Sequence, residues 1–104
     1  MNLCVIKGNI GTIQEKNKKD GFTKFSVAVQ RSYKNKKDEY DVDWFNCIVF
    51  GKTADFFDKY FEVGSPILVK GHIEFYKGGT KKDPKYYTTL VSETIEFAGK
   101  KGGN

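Results

Sequence analysis

Histidine occurs once in this chain, tryptophan once, cysteine twice, and nowhere is there a long apolar run. Each scarcity excludes something. The two cysteines, Cys4 and Cys47, lie far apart and form no C-x-x-C pair, so with a single histidine the chain has too few ligands for a zinc site. Unpaired spacing of this kind is simplest in a reduced intracellular compartment, and no cofactor is expected. No segment approaches the ~20 apolar residues of a membrane span. The start, Met1-Asn2-Leu3-Cys4, also lacks the charged segment that precedes the apolar core of a secretion signal. The expectation is a soluble, cytoplasmic protein with no membrane partner. At 104 residues it is one domain with one core.

What the chain has in quantity is rings and positive charge. Nine Phe, six Tyr and one Trp stand beside a formal net charge of +5. The stretch Asp43-Trp44-Phe45-Asn46-Cys47-Ile48-Val49-Phe50 reads as a strand that stops at Gly51. Alternation puts Phe45, Cys47 and Val49 on one face and Trp44, Asn46, Ile48 and Phe50 on the other. Both faces carry large apolar groups. Either both are buried, or one is an open surface awaiting a partner.

The other elements follow from periodicity and punctuation. Leu3 to Gly8 reads as a first strand continued through Ile10 and Ile13, with Gly8 and Gly11 as bends or bulges. Gln14 to Gly21 is a polar, lysine-bearing loop ending in the turn signal Asp20-Gly21. Phe22 to Gln30 is a second strand, with Phe25, Val27 and Val29 inward and Lys24, Ser26, Ala28 and Gln30 outward. Basic Arg31 to Lys37 and acidic Asp38 to Asp43 form a long loop or hairpin arm. Lys52 to Val63 is a helix with Ala54, Phe57, Tyr60 and Phe61 on one face, Thr53 placed to cap its start and Gly64 just past its end. Ile67 to Tyr76 and Tyr86 to Val91, the latter reaching toward Phe97, are the last strands. Gly78-Gly79 and Asp83-Pro84 bracket the loop between them. Tyr86 and Tyr87 alternate, so one turns to the core and one is free to meet a ligand. Three strands, a helix and two strands is the element order of the OB-fold, an all-β, five-stranded, partly open Greek-key barrel. The expected domain spans residues 1–97, with 98–104 a flexible basic, glycine-rich tail.

Charge is unevenly spread along this order. Eight of the 18 lysines and arginines fall between Lys16 and Lys37 with only Asp20 against them, and four more (Lys77, Lys81, Lys82, Lys85) fall beside Asp83. Two-thirds of the positive charge therefore flanks the outer face of strands two and three. Cations neutralise phosphates while rings stack on unpaired bases of any sequence, so this combination suits a single strand of nucleic acid. Lysine-rich loops that are merely solvated are the plainer alternative.

Here the chain resembles the bacterial and phage single-stranded DNA-binding protein (SSB) family. The matching pieces are Asn2 to Gly11, Trp44-Phe45-Asn46-Cys47-Ile48-Val49-Phe50-Gly51-Lys52, Gly64-Ser65, Val69-Lys70-Gly71 and Tyr86-Tyr87-Thr88-Thr89, over about residues 2–97. The resemblance implies that Trp44 and Phe50 stack on bases, with Tyr33 as a further ring. The family's aromatic in the arm between strands four and five aligns near Gly78, where Tyr76 is the substitute. Lys24, Arg31, Lys34, Lys52, Lys70 and Lys77 are the cations expected to line the DNA. The family's usual homotetramer implies self-association, as tetramer or dimer, through Leu3, Cys4, Val5 and Ile6. Cellular members also carry a long linker and an acidic tip that recruits replication and repair enzymes. This chain ends in Lys100-Lys101-Gly102-Gly103-Asn104, so it is either a phage or mobile-element form or a shortened piece.

The expected function is sequence-tolerant coating of single-stranded DNA in replication, recombination and repair, without catalysis. Single-stranded RNA is an open alternative ligand, because a stacking platform does not sense a 2′-hydroxyl. A metal-dependent nuclease would use Asp38, Glu39, Asp41 and Asp43, which read more simply as a solvated arm. The third class is a protein-assembly module using the apolar face for protein contacts.

Overall fold

The computed structural model describes residues 1–15 and 21–99. The strands are β1 (Cys4–Glu15), β2 (Phe22–Lys34), β3 (Tyr40–Phe50), β4 (Pro66–Gly79) and β5 (Pro84–Phe97), with helix α1 (Gly51–Tyr60) between β3 and β4. They close into a barrel in the order β1-β2-β3-β5-β4. Every ladder is antiparallel except the seam between β3 and β5, a short parallel pairing of Cys47 with Leu90 and Ile48 with Val91. The Greek-key expectation thus holds, and the ring that was expected to be partly open is closed at this short seam.

Strand alternation determines the core. Phe25, Val27, Cys47, Val49, Ile67, Val69 and Leu90 point inward and are buried, and α1 plugs one end of the barrel with Ala54 and Phe57. Phe57 stacks on Phe25 with centroids 4.3 Å apart and on Phe61 at 5.6 Å. Thr23 donates its hydroxyl to the Asp58 carboxylate at 2.7 Å, tying β2 to the helix. Burial pushes the Cys47 thiol up to about 12 and, with a smaller contribution from Cys4, leaves it unreactive.

Several local expectations are corrected. Thr53 does not cap the helix: the helix starts at Gly51, its N-cap is Phe50, and no side chain bonds there. Gly51 sits at φ 56° and donates its N–H to the Gly21 carbonyl, so backbone rather than a hydroxyl satisfies that end. The helix stops at Tyr60 because Phe61 turns extended to bury its ring. Gly64, at φ 93°, lies three residues further on and donates to the Ile10 carbonyl. Tyr60 is exposed although it lies on the helix's apolar side. Gly11 falls at a register shift of β1, as expected of a bulge. Gly8 keeps regular register with Ile67, and its missing side chain makes room for the Ala28 carbonyl and the Val27 side chain. Ser26 is buried even though it faces outward, because the bulged β1 passes beside it: Thr12 donates its N–H to Ser26 Oγ at 3.1 Å and the two hydroxyls lie 2.7 Å apart. The two loops expected from composition are shorter than they read. β2 and β3 extend to a turn at residues 35–39, and β4 and β5 to one at residues 80–83. The body of the 1–2 loop, residues 16–20, and the tail from Lys100 lie outside the described residues.

Candidate nucleic-acid interface

The outer face of the sheet can be read across its ladders, since directly paired residues of antiparallel strands share a face. Phe22 pairs with Phe50, Lys24 with Ile48, Ser26 with Asn46 and Ala28 with Trp44. Among the described residues no helix or strand covers this row. Trp44 is 61% exposed and Phe50 51% exposed, which decides between the two readings of β3: its outer face is open. Trp44 is nonetheless seated. A methyl group added at Gly11 would collide with Trp44 Cζ3, Cη2 and Cε3, so the indole lies across the bulge of β1 where only hydrogen stands. Glycine at 11 and alanine at 28 give the ring a flat bed and leave it largely in water. Phe22, which the pattern of the sequence did not single out, adds a ring 6.3 Å from Phe50, with Lys24 Nζ 5.5 Å from its centroid. Lys24, expected to face outward, lies within the aromatic row.

Beyond β3 the surface continues onto the β4–β5 arm. Tyr76 pairs with Tyr87, and together with Gln14, Lys24, Asn46 and Ile48 they line a groove of about 510 Å³. Tyr76, two residues before Gly78 on the same strand face, forms one wall of this groove. Neither Tyr86 nor Tyr87 enters the core; both are exposed, because the arm projects past the end of the barrel. Tyr87 could have been found from the turn alone: once Gly79 and Pro84 are paired, residue 87 must oppose residue 76.

A polar chain borders the groove. Tyr76 donates its hydroxyl to Glu74 Oε1 at 3.0 Å, His72 Nε2 lies 2.8 Å from Glu74 Oε2, and His72 Nδ1 lies 2.9 Å from Glu93 Oε2. The bond to Glu93, then that to Glu74, holds the imidazole above its ordinary pKa, and the bond from His72 holds Glu74 below the usual carboxylate range. Tyr76 is raised by its bond to Glu74. The two carboxylates address opposite nitrogens of one ring, so they do not converge on a common point.

The remaining expected residues are more dispersed. Arg31 is committed to carboxylates: Nε donates to Asp43 Oδ2 at 3.0 Å, Nη2 to Asp43 Oδ1 at 2.9 Å, and Nη1 lies 3.7 Å from Asp41. This fork raises the guanidinium pKa and lowers that of Asp43. Tyr33, 63% exposed, groups with this cluster, its ring centroid 5.9 Å from the Arg31 guanidinium. An irregularity of β2 falls between Gln30 and Lys34, and Tyr33 within it lies beside Arg31. Lys34 covers the Tyr40 ring at 5.6 Å and pairs with Asp38 at 3.3 Å. Lys52 is exposed on the first turn of α1, across a hollow from Glu93. Lys70 pairs with Val5 on the β1–β4 sector, away from the aromatic row. Lys77 pairs with Tyr86, on the face of the arm opposite to Tyr76.

Of the four residues expected at a subunit contact, Leu3 and Val5 are exposed, Ile6 is in the core and Cys4 is packed against it. The acidic run of the nuclease reading is likewise occupied: Arg31 holds Asp41 and Asp43, Asn35 Nδ2 donates to Asp41 at 2.9 Å, and Lys34 meets Asp38. Among the described residues no three His, Cys, Asp or Glu side chains are grouped to hold a metal ion, and no helix is long and apolar enough to cross a membrane.

Residues 1–98 match the model of the Single-strand binding protein family. The chain is 34% identical over 104 residues to a single-stranded DNA-binding protein of Fusobacterium nucleatum, covering 93% of this chain and 66% of that one. It is 34% identical over 80 residues to one of Staphylococcus epidermidis, covering 77% and 61%. The chain therefore spans about half to two-thirds of the length of such relatives. Among solved structures, a small single-stranded DNA-binding protein from Streptomyces coelicolor superposes with a TM-score of 0.73 at 17% identity, covering 91% of this chain and 92% of that one. The Plasmodium falciparum SSB in complex with ssDNA gives 0.72 at 24% identity, covering 92% and 91%. At these identities the likeness is one of fold.

Proposed function

Because this chain belongs to the single-strand binding protein family, we propose that it binds single-stranded DNA without sequence preference, by stacking bases on Trp44 and Phe50 and neutralising phosphates with lysines. The observation that carries this reading is the exposed indole of Trp44, seated over Gly11 in a row with Phe22, Phe50 and Lys24. Tyr76 and Tyr87 extend the stacking surface along the groove, and Tyr33 offers a further ring on the β2–β3 arm. Such a protein is a binder rather than an enzyme. By occupying only the unpaired state it draws a hairpin or duplex end toward the open form, which is how it would protect strands during replication, recombination and repair. The site of action is the cytoplasm.

Self-association is part of the same proposal. Residues Cys4 to Gly8 pair with β4 on one side, while pairing with β2 begins at Asn9, so a second copy could add to this edge beside the exposed Leu3 and Val5. Sedimentation of Val5→Lys beside the parent would test it: a smaller particle is expected, and an unchanged one refutes the contact.

The function itself is tested by competition between oligo-dT and a mixed-sequence duplex of equal length, at low and high salt. Binding to dT that is far tighter than to duplex, with an affinity falling steeply as salt rises, is expected. Equal affinity for both, or affinity indifferent to salt, would contradict it. An RNA oligonucleotide in the same competition shows whether the sugar is read.

A further inference from the structure

The β4–β5 arm carries rings on both of its faces, and only the rings of one face, Tyr76 and Tyr87, line the groove. Register is unbroken from the pair of Gly71 with Ser92 to that of Gly79 with Pro84, so the faces are determined residue by residue. One face holds the pair Tyr76 and Tyr87. The other begins with Ile73 and Leu90 against the barrel core, and continues outward through Phe75 with Thr88 and Lys77 with Tyr86. Past the barrel this second face has, among the described residues, nothing to pack on. A two-stranded arm solvated on both sides would ordinarily be polar there, yet Phe75 is 74% exposed and Tyr86 71% exposed.

We propose that this reverse face, Phe75, Tyr86 and Lys77, is a second contact surface for single-stranded nucleic acid, taken up by a strand that has passed over the tip of the arm from the Tyr76–Tyr87 side. The proposal rests on the function given above. Charge argues for that occupant. From Lys77 to Lys85 the arm carries four lysines against one acid, Asp83, and the exposed Lys81 and Lys82 sit in the turn that joins the two faces. That turn is held in shape by Thr80, whose N–H meets the Asp83 carbonyl at 3.2 Å and whose hydroxyl accepts from the Asp83 N–H at 3.0 Å. An anion with stackable faces suits two rings interleaved with ammonium groups. A second copy of the arm would bring like charge against like charge. Continuity also favours it, because the surface is the back of a hairpin whose front lines the groove.

The test compares the parent with the double variant Phe75→Ser, Tyr86→Ser on two dT oligonucleotides, one of about 8 nucleotides, within what a single OB-fold covers, and one of about 24, beyond it. Both residues are exposed, and melting confirms that the variant is folded. Equal affinity for the short strand with at least ~5-fold weaker binding of the long one supports the proposal, being the loss of one stacked base. Lys77→Gln supplies an independent reading: the salt slope on the long strand should fall by about 0.7 while that on the short strand stays unchanged. Equal affinity of parent and double variant for both lengths overturns the second surface while leaving the first intact. A changed sedimentation coefficient with unchanged binding overturns it in favour of contact between copies. Failure of the parent to bind even the short strand would overturn the underlying function instead.

Discussion

One strand, β3, presents two apolar faces with opposite fates. Cys47 and Val49 are buried in the barrel, while Trp44 and Phe50, of the opposite parity, stand mostly in water. Apolarity did not decide this; neighbours did. The inner face meets Phe25, Val27 and Leu90 from adjacent strands and Phe57 from the helix. The outer face meets Lys24, Ser26 and Ala28 on β2 and the bare backbone of Gly11 on β1, with no further element among the described residues laid over it. Leaving apolar area exposed forgoes roughly 25 cal/mol per Å², so the outer rings are poor contributors to folding and are free to be covered by a ligand. The inner face holds the barrel together, and the outer face is the one proposed to hold the single strand.

If that division is right, substitutions on the two faces should separate stability from binding. The largest effect is expected from Phe25→Ala, which empties the stack against Phe57 and should cost about 3–5 kcal/mol of folding stability in chemical denaturation. Trp44→Ala should change stability by only about 0.5 kcal/mol while weakening binding by ~1–3 kcal/mol for each base that stacks there. A Trp44→Ala protein as unstable as the Phe25 variant, or one binding DNA as tightly as its parent, would erase the distinction.

Smaller effects sharpen the electrostatic side. Arg31 is sequestered by Asp43 in a two-pronged bond, so it counts as a phosphate ligand only when released. Asp43→Asn should therefore steepen the dependence of log affinity on log salt by about 0.7, because the freed guanidinium neutralises one further phosphate. An unchanged slope would mean that Arg31 serves the fold of the arm alone. The smallest effect concerns His72. Its partners raise its pKa, so their contribution is complete below the ordinary histidine range and fades as pH rises through the raised folded value. NMR titration should find the imidazole pKa above 6.5, and Glu93→Gln should bring it back toward that value. A pKa at or below 6.5 in the parent would show that the two bonds do not persist in solution.

The fold was legible in the chain because each of its signals is local. Alternation in β2 and β3, the helical spacing of Ala54, Phe57 and Phe61, and the turn residues at Gly21, Gly64 and Pro84 each gave an element, and the order of elements gave the barrel. Trp44 and Phe50 were legible for the same reason, since their parity opposes that of Cys47 and Val49. What stayed hidden depended on contacts between distant residues. Nothing in Arg31-Ser32-Tyr33 tells that Asp43 will reach across the hairpin and claim the arginine, or that backbone from Gly21 will do the work assigned to Thr53. Strand parity divides the remaining expected residues between faces. Leu3 and Val5 share one parity and Cys4 and Ile6 the other, and Lys77 lies on the face of the arm opposite to Tyr76.

The central claim, that Trp44 is a base-stacking platform on an open sheet face, is tested most directly by the protein's own fluorescence. The chain contains a single tryptophan, so a titration with oligo-dT reports one position per subunit. Strong quenching at low salt, weakening as salt rises and the DNA dissociates, is the predicted result. Saturating binding with no change in tryptophan emission would contradict the claim, placing the DNA on a surface other than the row that Trp44 and Phe50 define.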